Sequence, residues 1–383
     1  MKQFKHFDLR IVKPAFDSDL TDIIMALDHL RKKVLMGTTP PETFSQIKHI
    51  FLMLESIGSL RIEGNKTTAY EYIETKIDNK GEQQEEIKEI ENIEKALAFI
   101  EKKGIEQPID ESFLKQLHKI VIEGLTKEGS SFPGEFRRDR VYIRNSVHVP
   151  PDYLEVKDYV KELINFINTD HAPKYSLLKT AIVHHRFVWI HPFDNGNGRT
   201  VRLLTYAMLI KQGFITHLGR IINPTAIFCY DRKRYTELLA LADKGDDRGL
   251  LAWCSYMLGG LKREIEKVDK LSDYEYLKTN LLLPTIDFAQ ERALITNTEA
   301  KILRLFIEKT EVMNSDIQKI IHSSDPSIIS RIIKRLKEKG MIVPKEGKKR
   351  KYLLRFDNNF LLRGIINSLG EGGFLDTLTT DIK

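Results

Sequence analysis

Residues 191–202 bring together polar side chains and glycines whose types and spacing suit phosphate chemistry. The stretch contains one histidine, two glycines and two arginines: His191, Gly196, Gly198, Arg199 and Arg202. Glycine permits positive φ and a close approach of the main chain to a ligand, so several N–H groups can face one anion at a helix N-terminus. Two arginines one helical turn apart can reach the same polyphosphate as bidentate donors. These residues predict a polyphosphate site beside a histidine that can take a proton from a nucleophile.

The flanking sequence predicts that this stretch is a loop between two helices. Residues 177–190 contain neither glycine nor proline and carry apolar residues at helical spacing, and residues 201–209 show the same pattern. Pro192 cannot continue the first helix, because it lacks an N–H and its ring clashes with the preceding turn. The histidine is therefore expected at the end of the first helix and the arginines at the start of the second. The alternative, a glycine-rich turn with solvated arginines and a helix-capping histidine, requires all these groups to meet by chance.

The same stretch resembles the signature of the Fic family, H-x-F-x-[D/E]-G-N-G-R-x-x-R. The matching residues are His191, Phe193, Gly196, Asn197, Gly198, Arg199 and Arg202. The sequence departs from the signature at Asn195, where the family pattern has an acidic residue. The resemblance implies a mainly helical Fic-type core and, as its activity, transfer of AMP from ATP to a hydroxyl of a protein.

The resemblance also implies a role for each signature residue. His191 would be the base, Asn197 and the loop amides would hold the α-phosphate, and Arg202 would bind the terminal phosphate. The implied nucleotide-binding set is Gly196, Asn197, Gly198, Arg199 and Arg202. The acidic position of the family would hold Mg2+, and in this sequence that position is the amide Asn195. ATP is the implied substrate and Mg2+ the implied cofactor.

A second motif lies upstream, at the end of a predicted helix. Residues 42–61 carry apolar side chains along one helical stripe, and Gly64 follows as a helix terminator. Beside a Fic signature, Ser59, Glu63 and Gly64 match the pattern [S/T]-x-x-x-E-[G/N], which some family members carry. In those members the glutamate pairs with the second signature arginine, so Glu63 would compete with the terminal phosphate for Arg202. The resemblance implies self-inhibition, and a plain helix terminus is the alternative.

Residues 132–151 differ from the helical sequence around them. They begin with Phe-Pro-Gly, alternate around Val141 and Ile143, and end in two prolines. This pattern predicts a short β-hairpin. It resembles the flap beside the active site of Fic proteins, where an exposed strand edge could pair with an extended target and present a hydroxyl to His191. A simple exposed hairpin is the alternative.

The composition, with 42% hydrophobic and 30% charged residues, is that of an ordinary globular protein. Its two cysteines, Cys229 and Cys254, lack C-x-x-C spacing and predict buried thiols in a reducing compartment. Residues 1–16 carry scattered charges, and no apolar run reaches the roughly 18 residues of a membrane helix. These features predict a cytoplasmic protein that does not enter a membrane. His184 lies on the same predicted helix face as His191 and is expected in the core, because no third metal ligand occurs at a suitable spacing.

The formal net charge of +6 is concentrated near the C-terminus, where residues 331–352 hold ten lysines and arginines against two acidic residues. From residue 298 the apolar spacing predicts three helices and a two-stranded wing, which resembles a winged helix-turn-helix domain. The expected DNA contacts on the third helix and the wing are Ser330, Arg331, Lys334, Arg335, Lys348, Lys349 and Arg350. A protein-interaction or dimerisation module of the same fold is an equally supported alternative.

Together these features predict a mainly α protein. Its regions are an N-terminal helical region with the inhibitory motif at 1–83, a Fic core with a small β-hairpin flap at 84–266, a linker helix at 267–295, and a winged-helix domain with a tail at 296–383. The predicted function is adenylyl transfer to a Ser, Thr or Tyr hydroxyl of a protein, restrained by Glu63. Two alternatives stay open: a hydrolase that uses Glu63 to remove AMP, and a nucleotide-sensing DNA-binding regulator with little catalysis. The expected partners are ATP and a protein target, with DNA and a second copy of the chain as further candidates.

Overall fold

The structure, a computed structural model, is mainly helical, as predicted, with one small antiparallel sheet. It describes residues 4–32, 37–78, 84–103, 107–143, 146–214, 227–228, 231–309, 311–321, 325–345, 347–348 and 350–375. The predicted residues Cys229 and Lys349 lie outside these ranges. Within the same ranges, no helix combines the length and the apolar character needed to cross a bilayer.

The N-terminal and central helices are α1 (Asp19–Lys32), α2 (Pro41–Glu63), α3 (Ala69–Asp78), α4 (Glu85–Lys103), α5 (Glu111–Val121), α6 (Val156–Asn168), α7 (Ser176–Ile190), α8 (Asn197–Lys211), α9 (Arg232–Ala242) and α10 (Asp247–Lys270). The C-terminal elements are α11 (Tyr274–Leu277), a π-helical turn (Lys278–Leu282), α12 (Leu283–Glu291), α13 (Asn297–Lys309), β1 (Val312–Met313), α14 (Asn314–Ile321), α15 (Pro326–Glu338), β2 (Ile342–Pro344), β3 (Lys351–Leu354) and α16 (Leu362–Glu371).

Helix α2 carries the upstream motif at its C-terminal end. Pro41 suits the first position because its missing N–H would have no helical partner there. Gly64 ends the helix in a left-handed conformation with φ of 108°, and its N–H donates to the carbonyls of Leu60 and Arg61. The apolar stripe predicted within 42–61 is buried. Because α2 has 23 residues and is about 35 Å long, its two ends contact different parts of the protein.

Helices α7 and α8 lie between two hydrophobic clusters. One cluster joins Phe187 and Phe193 to residues of α2, α4, α5 and the C-terminal elements. The other joins Ile182 to Trp253 and to residues of α1, α9 and α10. Because close-packed interiors have little freedom to shift, both helices that flank the loop are held in place by packing.

Two polar residues in this core are structural, as expected from the sequence. His184 is buried, with Nδ1 2.7 Å from Thr205 Oγ1 and Nε2 3.0 Å from the Tyr235 hydroxyl. Cys254 is buried as a free thiol, and burial raises its pKa to about 12. Neither residue takes part in a metal or disulfide site in the described structure.

The C-terminal region contains three helices, α13 to α15, followed by a hairpin of β2 and β3. The short strand β1 pairs with β3, with Val312 opposite Tyr352, so the sheet order is β1-β3-β2. The helices and the hairpin follow the predicted order, and the winged helix-turn-helix class stays a prediction. Gln46 on α2 joins this region to the rest of the chain: its side chain donates to the Leu354 carbonyl over 2.9 Å and accepts from the Phe356 N–H over 2.6 Å.

The hairpin predicted in residues 132–151 is corrected by the structure. The described parts of this segment contain no β-strand. The N–H of Arg137 donates instead to the Pro192 carbonyl over 2.9 Å, and its Nε donates to the His191 carbonyl over 2.9 Å. The alternating apolar pattern is therefore misleading here: the main-chain bonds within the described parts of the segment are turns, such as the Ser146 N–H to the Ile143 carbonyl, and Arg137 bonds the loop.

Candidate active site

The loop between α7 and α8 has a left-handed residue at each end. His191, which follows the last residue of α7, has φ of 52°, and Gly196, which precedes α8, has φ of 72°. For a histidine this conformation costs about 1–3 kcal/mol, which the surrounding structure must offset. The His191 N–H still donates to the Phe187 carbonyl over 3.0 Å. The predicted helix, loop and helix are present, and residues 191–196 form the loop.

His191 is neutral and holds an unprotonated nitrogen. Its Nδ1 lies 3.3 Å from the Val188 carbonyl. Because a carbonyl only accepts, Nδ1 carries the proton and Nε2 keeps its lone pair. Desolvation lowers the pKa of His191 to about 4; the Val188 carbonyl opposes this shift and the charge of Arg137 reinforces it. At neutral pH the ring therefore presents Nε2 as a base.

The first turn of α8 offers main-chain N–H groups to an anion. Gly196 precedes the helix, and no side chain caps this end in the part of the chain that the structure describes. The first N–H groups of a helix have no helical partner and carry the positive end of its dipole. The Asn197 side chain closes the loop: Oδ1 accepts from the Phe193 N–H over 2.9 Å, and Nδ2 donates to the Phe193 carbonyl over 2.8 Å. Asn197 thus shapes an anion-binding helix N-terminus.

Arg202 is bound by two residues of the upstream motif. Its Nε donates to Ser59 Oγ, and one terminal nitrogen donates to the Ser59 carbonyl and to the Glu63 carboxylate, each over 2.9 Å. Burial acts to raise the pKa of Glu63, but the charge of Arg202 and its hydrogen bond lower it below the ordinary value. The structure therefore brings together the two motifs that lie far apart in the sequence, with Glu63 ionised at the arginine.

Gly198 lets the Glu63 carboxylate approach the start of α8. A Cβ at Gly198 would lie 2.1 Å from Glu63 Oε1, so any other residue at this position would displace the carboxylate. Glu63 therefore lies beside both the helix N-terminus and Arg202, the two groups that favour an anion. A negatively charged side chain of the protein itself thus lies where these two groups would meet an anion.

Arg199 binds different partners from Arg202. Its terminal nitrogens donate to Glu89 Oε1 on α4 over 2.9 Å and to the Glu128 carbonyl over 2.8 Å. Arg199 and Glu89 are both buried, and burial raises the pKa of Glu89 against the charge of the arginine. In this structure Arg199 joins α8 to α4, and nucleotide binding by its side chain stays a prediction. The sequence offered no signal for Glu89, which is one of several glutamates in an amphipathic helix.

Asp194 and Asn195 both point to a neighbouring turn. The Asp194 carboxylate accepts from Ser130 Oγ and, over 2.8 Å, from the Ser131 N–H. Asn195 Nδ2 donates to the Gly129 carbonyl over 3.1 Å. Mg2+ prefers charged oxygen ligands, whereas Asn195 offers a neutral amide oxygen that already accepts from the Gly196 N–H over 2.7 Å. The loop therefore does not fit a protein-held Mg2+ at Asn195, and any Mg2+ would be carried by the nucleotide.

Residues 129–137 run beside the loop, as the resemblance of residues 132–151 to the Fic flap implies, but the contacts of Arg137 were not predicted. Arg137 is 3% exposed, and its guanidinium also donates to the carbonyls of Asp139 and Pro151. Burial lowers the pKa of Arg137 to about 10, so the residue stays charged at neutral pH. Its burial was not predictable, because it lies in an arginine-rich stretch that is typical of an exposed surface.

The described residues among the predicted DNA contacts are all exposed, and two of them lie near a carboxylate. Arg335 lies 3.1 Å from the buried carboxylate of Glu299, and Lys334 lies 3.8 Å from Glu338. Ser330, Arg331, Lys348 and Arg350 are exposed as well. Part of the positive charge is therefore compensated within the C-terminal region, and a role in DNA binding stays a prediction.

Comparison with known proteins finds one family at this site. A model of the Fic/DOC family matches residues 108–209, which include the loop. Protein adenylyltransferase Fic of Drosophila virilis is 31% identical over 196 residues, or 50% of this chain and 38% of that protein. The enzyme of the same name from Drosophila yakuba is 32% identical over 197 residues, or 50% of this chain and 37% of that protein. The chain spans less than two fifths of the length of these curated relatives.

Solved structures show the same fold. A Fic family protein from Desulfovibrio desulfuricans G20 has a TM-score of 0.55 and 19% identity, covering 91% of this chain and 98% of that chain. Fic-1 from C. elegans has a TM-score of 0.52 and 21% identity, covering 66% of this chain and 74% of that chain. At these identities the likeness concerns the fold.

Proposed function

The chain belongs to the Fic family, and from that premise we propose that it is a protein adenylyltransferase that moves AMP from ATP to a Ser, Thr or Tyr hydroxyl of a protein. The observation that carries the proposal is the neutral His191, whose unprotonated Nε2 stands at the loop before the uncapped N-terminus of α8. A base and an anion site at one loop are the two components that this transfer needs. The relatives that bear the name adenylyltransferase support it.

The proposed reaction is an in-line displacement. Nε2 of His191 takes the proton of the target hydroxyl, whose oxygen forms a bond to the α-phosphorus of ATP. The bond from that phosphorus to the bridging oxygen breaks, and pyrophosphate leaves. N–H groups in the first turn of α8 stabilise the charge on the α-phosphoryl oxygens. Gly196, Asn197 and Gly198 give the loop the conformation that directs these groups, and Arg202 binds the terminal phosphate once it is free.

We further propose that the chain is self-inhibited through Glu63. The carboxylate bonds the Arg202 guanidinium and lies against Gly198, so the terminal phosphate and Glu63 compete for one place. A hydrogen bond to a charged group contributes about 1.5–3 kcal/mol, which corresponds to roughly ten- to hundredfold in occupancy. ATP then binds with its phosphates displaced from the in-line geometry. A hydrolase that uses Glu63 to remove AMP is the competing function for the same contact.

Two further proposals concern the surroundings of the enzyme. DNA binding by the C-terminal region is supported by its exposed basic side chains, Arg331, Lys348 and Arg350. A gel-shift assay at several salt concentrations tests it, and the absence of any salt-dependent affinity would favour the protein-interaction module. A cytoplasmic location is supported by the two cysteines without disulfide spacing and is tested by localisation of the tagged chain.

The deciding experiment for the enzymatic proposal is label transfer with two forms of ATP. Glu63→Gly protein is incubated with ATP labelled at the α-phosphate or at the γ-phosphate, with and without a cell extract as the source of targets. The proposal expects protein-bound label from the α-form alone. Label from the γ-form would indicate phosphorylation. Removal of pre-bound AMP by the chain that keeps Glu63, without label transfer by Glu63→Gly, would indicate the hydrolase.

A further inference from the structure

His118 lies on α5, outside both sequence motifs, and is fully buried. Its Nε2 lies 3.1 Å from the Asn195 carbonyl, and its Nδ1 lies 3.1 Å from the Gly134 nitrogen. A carbonyl only accepts and a main-chain N–H only donates, so Nε2 carries the proton and Nδ1 accepts. The two bonds therefore require one neutral tautomer. Burial lowers the pKa of His118 to about 4, which keeps the ring neutral.

The imidazole also packs flat against the loop. It stacks on Phe193 with ring centroids 3.8 Å apart and planes inclined by 8°. A Cβ at Gly196 would lie 3.5 Å from His118 Cδ2, so the edge of the ring lies beside the residue with left-handed φ. One side chain thus contacts Phe193, Asn195 and Gly196 from a helix that is not part of the loop.

The second partner of the ring, Gly134, belongs to the segment 129–137 that runs beside the loop. Arg137 of this segment bonds the carbonyls at the beginning of the loop, next to α7. His118 joins the same segment to the end of the loop, at the residue before the N-cap of α8. The loop is therefore held at both ends, by an arginine at one end and by a histidine at the other.

This attachment matters because the main chain at the start of α8 has few conformational restraints of its own. Gly196 and Gly198 give the main chain wide conformational freedom. The first N–H groups of α8 can bind one phosphoryl group together only if this stretch keeps one conformation. Donors that are fixed in advance stabilise a developing charge without reorganisation. A stacked ring with two hydrogen bonds removes the freedom without touching the ligand.

We propose that His118 is a positioning residue, which fixes the main chain at Asn195 and Gly196 and so directs the first N–H groups of α8 at one phosphoryl group. The identity of that group as the α-phosphate of ATP rests on the proposed function. The proposal distinguishes His118 from an ordinary buried histidine, whose loss would lower stability and leave the order of the loop unchanged.

Two substitutions in the full-length Glu63→Gly chain separate these roles. His118→Phe keeps an aromatic ring for Phe193 but leaves the Asn195 carbonyl and the Gly134 N–H without partners. His118→Gln loses the stacked ring but supplies a donor and an acceptor on one side chain. The Phe variant therefore removes the hydrogen bonds, and the Gln variant tests whether they can be restored.

The matched control is His184→Phe. His184 is buried like His118, and both of its ring nitrogens are bonded, to Thr205 and Tyr235. It packs on Phe228 in the second hydrophobic cluster, away from the loop. The control thus removes a buried, doubly bonded imidazole of the same chemistry at a position where no effect on the loop is expected.

Hydrogen–deuterium exchange of the peptide 191–199 is the first measurement, because it does not depend on activity. His118→Phe is expected to speed this exchange by about ten- to hundredfold, as the loss of hydrogen bonds implies, and His118→Gln is expected to fall between it and the parent. AMP transfer at saturating ATP should fall in the same order, with a smaller change in KM because Arg202 still binds the terminal phosphate. His184→Phe should lower Tm and leave both measurements unchanged.

Each outcome decides the proposal. Unchanged exchange at 191–199 in the His118 variants overturns it, and so does unchanged transfer per folded molecule when exchange is faster. If the parent transfers no AMP, the proposed function fails, and the exchange of the loop still decides whether His118 positions it. If His118→Phe does not fold, the same exchange measurement on His118→Gln gives the answer.

Discussion

Helix α2 and residues 129–137 both contact the loop or the start of α8, and they use different chemistry. From α2, Ser59 and Glu63 bond the guanidinium of Arg202. From residues 129–137, Arg137 bonds main-chain carbonyls of the loop. A phosphate can replace a carboxylate at an arginine, whereas a nucleotide cannot replace a partner of the main chain. The first contact is therefore suited to regulation and the second to support.

Arg202 and Arg199 also differ in whether a ligand can replace their partner. The side chain of Glu63, which binds Arg202, is 33% exposed, whereas that of Glu89, which binds Arg199, is 5% exposed. A partly exposed carboxylate can give way to a ligand from solvent, but separating a buried pair leaves an unpaired charge in the interior. We therefore expect Arg202 to exchange the Glu63 carboxylate for a ligand and Arg199 to keep the Glu89 carboxylate.

The largest effect is expected from His191→Ala. Loss of a general base lowers a rate by about a hundredfold to ten-thousandfold, so AMP transfer by the Glu63→Gly chain should fall to background. The melting temperature should change little, because the ring makes one hydrogen bond, to the Val188 carbonyl, in the described structure. Label transfer and thermal melting measure the two quantities. Retained labelling would remove His191 from the mechanism.

The next largest effect separates the two glutamates. Glu63→Gly frees Arg202 and should raise AMP transfer by about ten- to hundredfold, from the loss of one hydrogen bond to a charged group. Glu89→Ala should not activate. It leaves the buried Arg199 with only the longer contact to the half-exposed Glu128 carboxylate, at 3.7 Å, and should lower the free energy of unfolding by about 3–5 kcal/mol.

Label transfer and chemical denaturation of both variants distinguish these results. Equal activation by the two substitutions would remove the distinction between an exchangeable and a permanent contact. A loss of activity in Glu63→Gly would instead favour the hydrolase, in which Glu63 takes part in the chemistry.

A smaller effect is expected from Asn195→Asp, which tests whether the loop can hold Mg2+. Asn195→Asp loses the hydrogen bond to the Gly129 carbonyl and gains a charged oxygen, which Mg2+ prefers. The Mg2+ concentration for half-maximal transfer should fall by several-fold, roughly the effect of about 1 kcal/mol. Asp194→Ala is the control, because its carboxylate is bonded to Ser130 and Ser131. If only the Asp194 change shifts the Mg2+ dependence, the assignment of the metal position is wrong.

The sequence was most informative where function depends on a few residues close together. The loop and the helices on both sides of it were predicted from spacing, and the contact of Glu63 with Arg202 was implied by the family resemblance. The resemblance also implied that residues 132–151 lie beside the active site. The individual contacts of Arg137, Glu89 and His118 were not predicted, because they depend on which segments meet in space. The hairpin was wrong for the same reason: alternation shows which residues are apolar and not which partner the main chain finds.

A still smaller effect is expected at the far end of α2. Gln46 bonds the Leu354 carbonyl and the Phe356 N–H, so the helix that carries Glu63 is attached to the C-terminal sheet. Gln46→Ala removes both hydrogen bonds to the C-terminal region but leaves those of Glu63 in place, and transfer should rise by about two- to threefold. The same change in the Glu63→Gly chain should have no effect. An equal rise in both chains would show that Gln46 acts on stability and not on the inhibitory contact.

The smallest effect is expected from pH. With a pKa lowered to about 4, His191 is almost wholly in its base form at neutral pH, so transfer at saturating ATP should change by less than about twofold between roughly pH 6 and 8. A histidine with the ordinary pKa near 6.5 would give a rise of about fourfold over this interval. The charge of Glu63 acts to raise the pKa of His191, so Glu63→Gly lowers it further and the profile stays flat. Rates of both chains over this interval test the point, and a fourfold rise would mean that the ring is hydrated like an exposed histidine. Removal of the inhibitory contact should therefore change how fast AMP is transferred and not how the rate depends on pH.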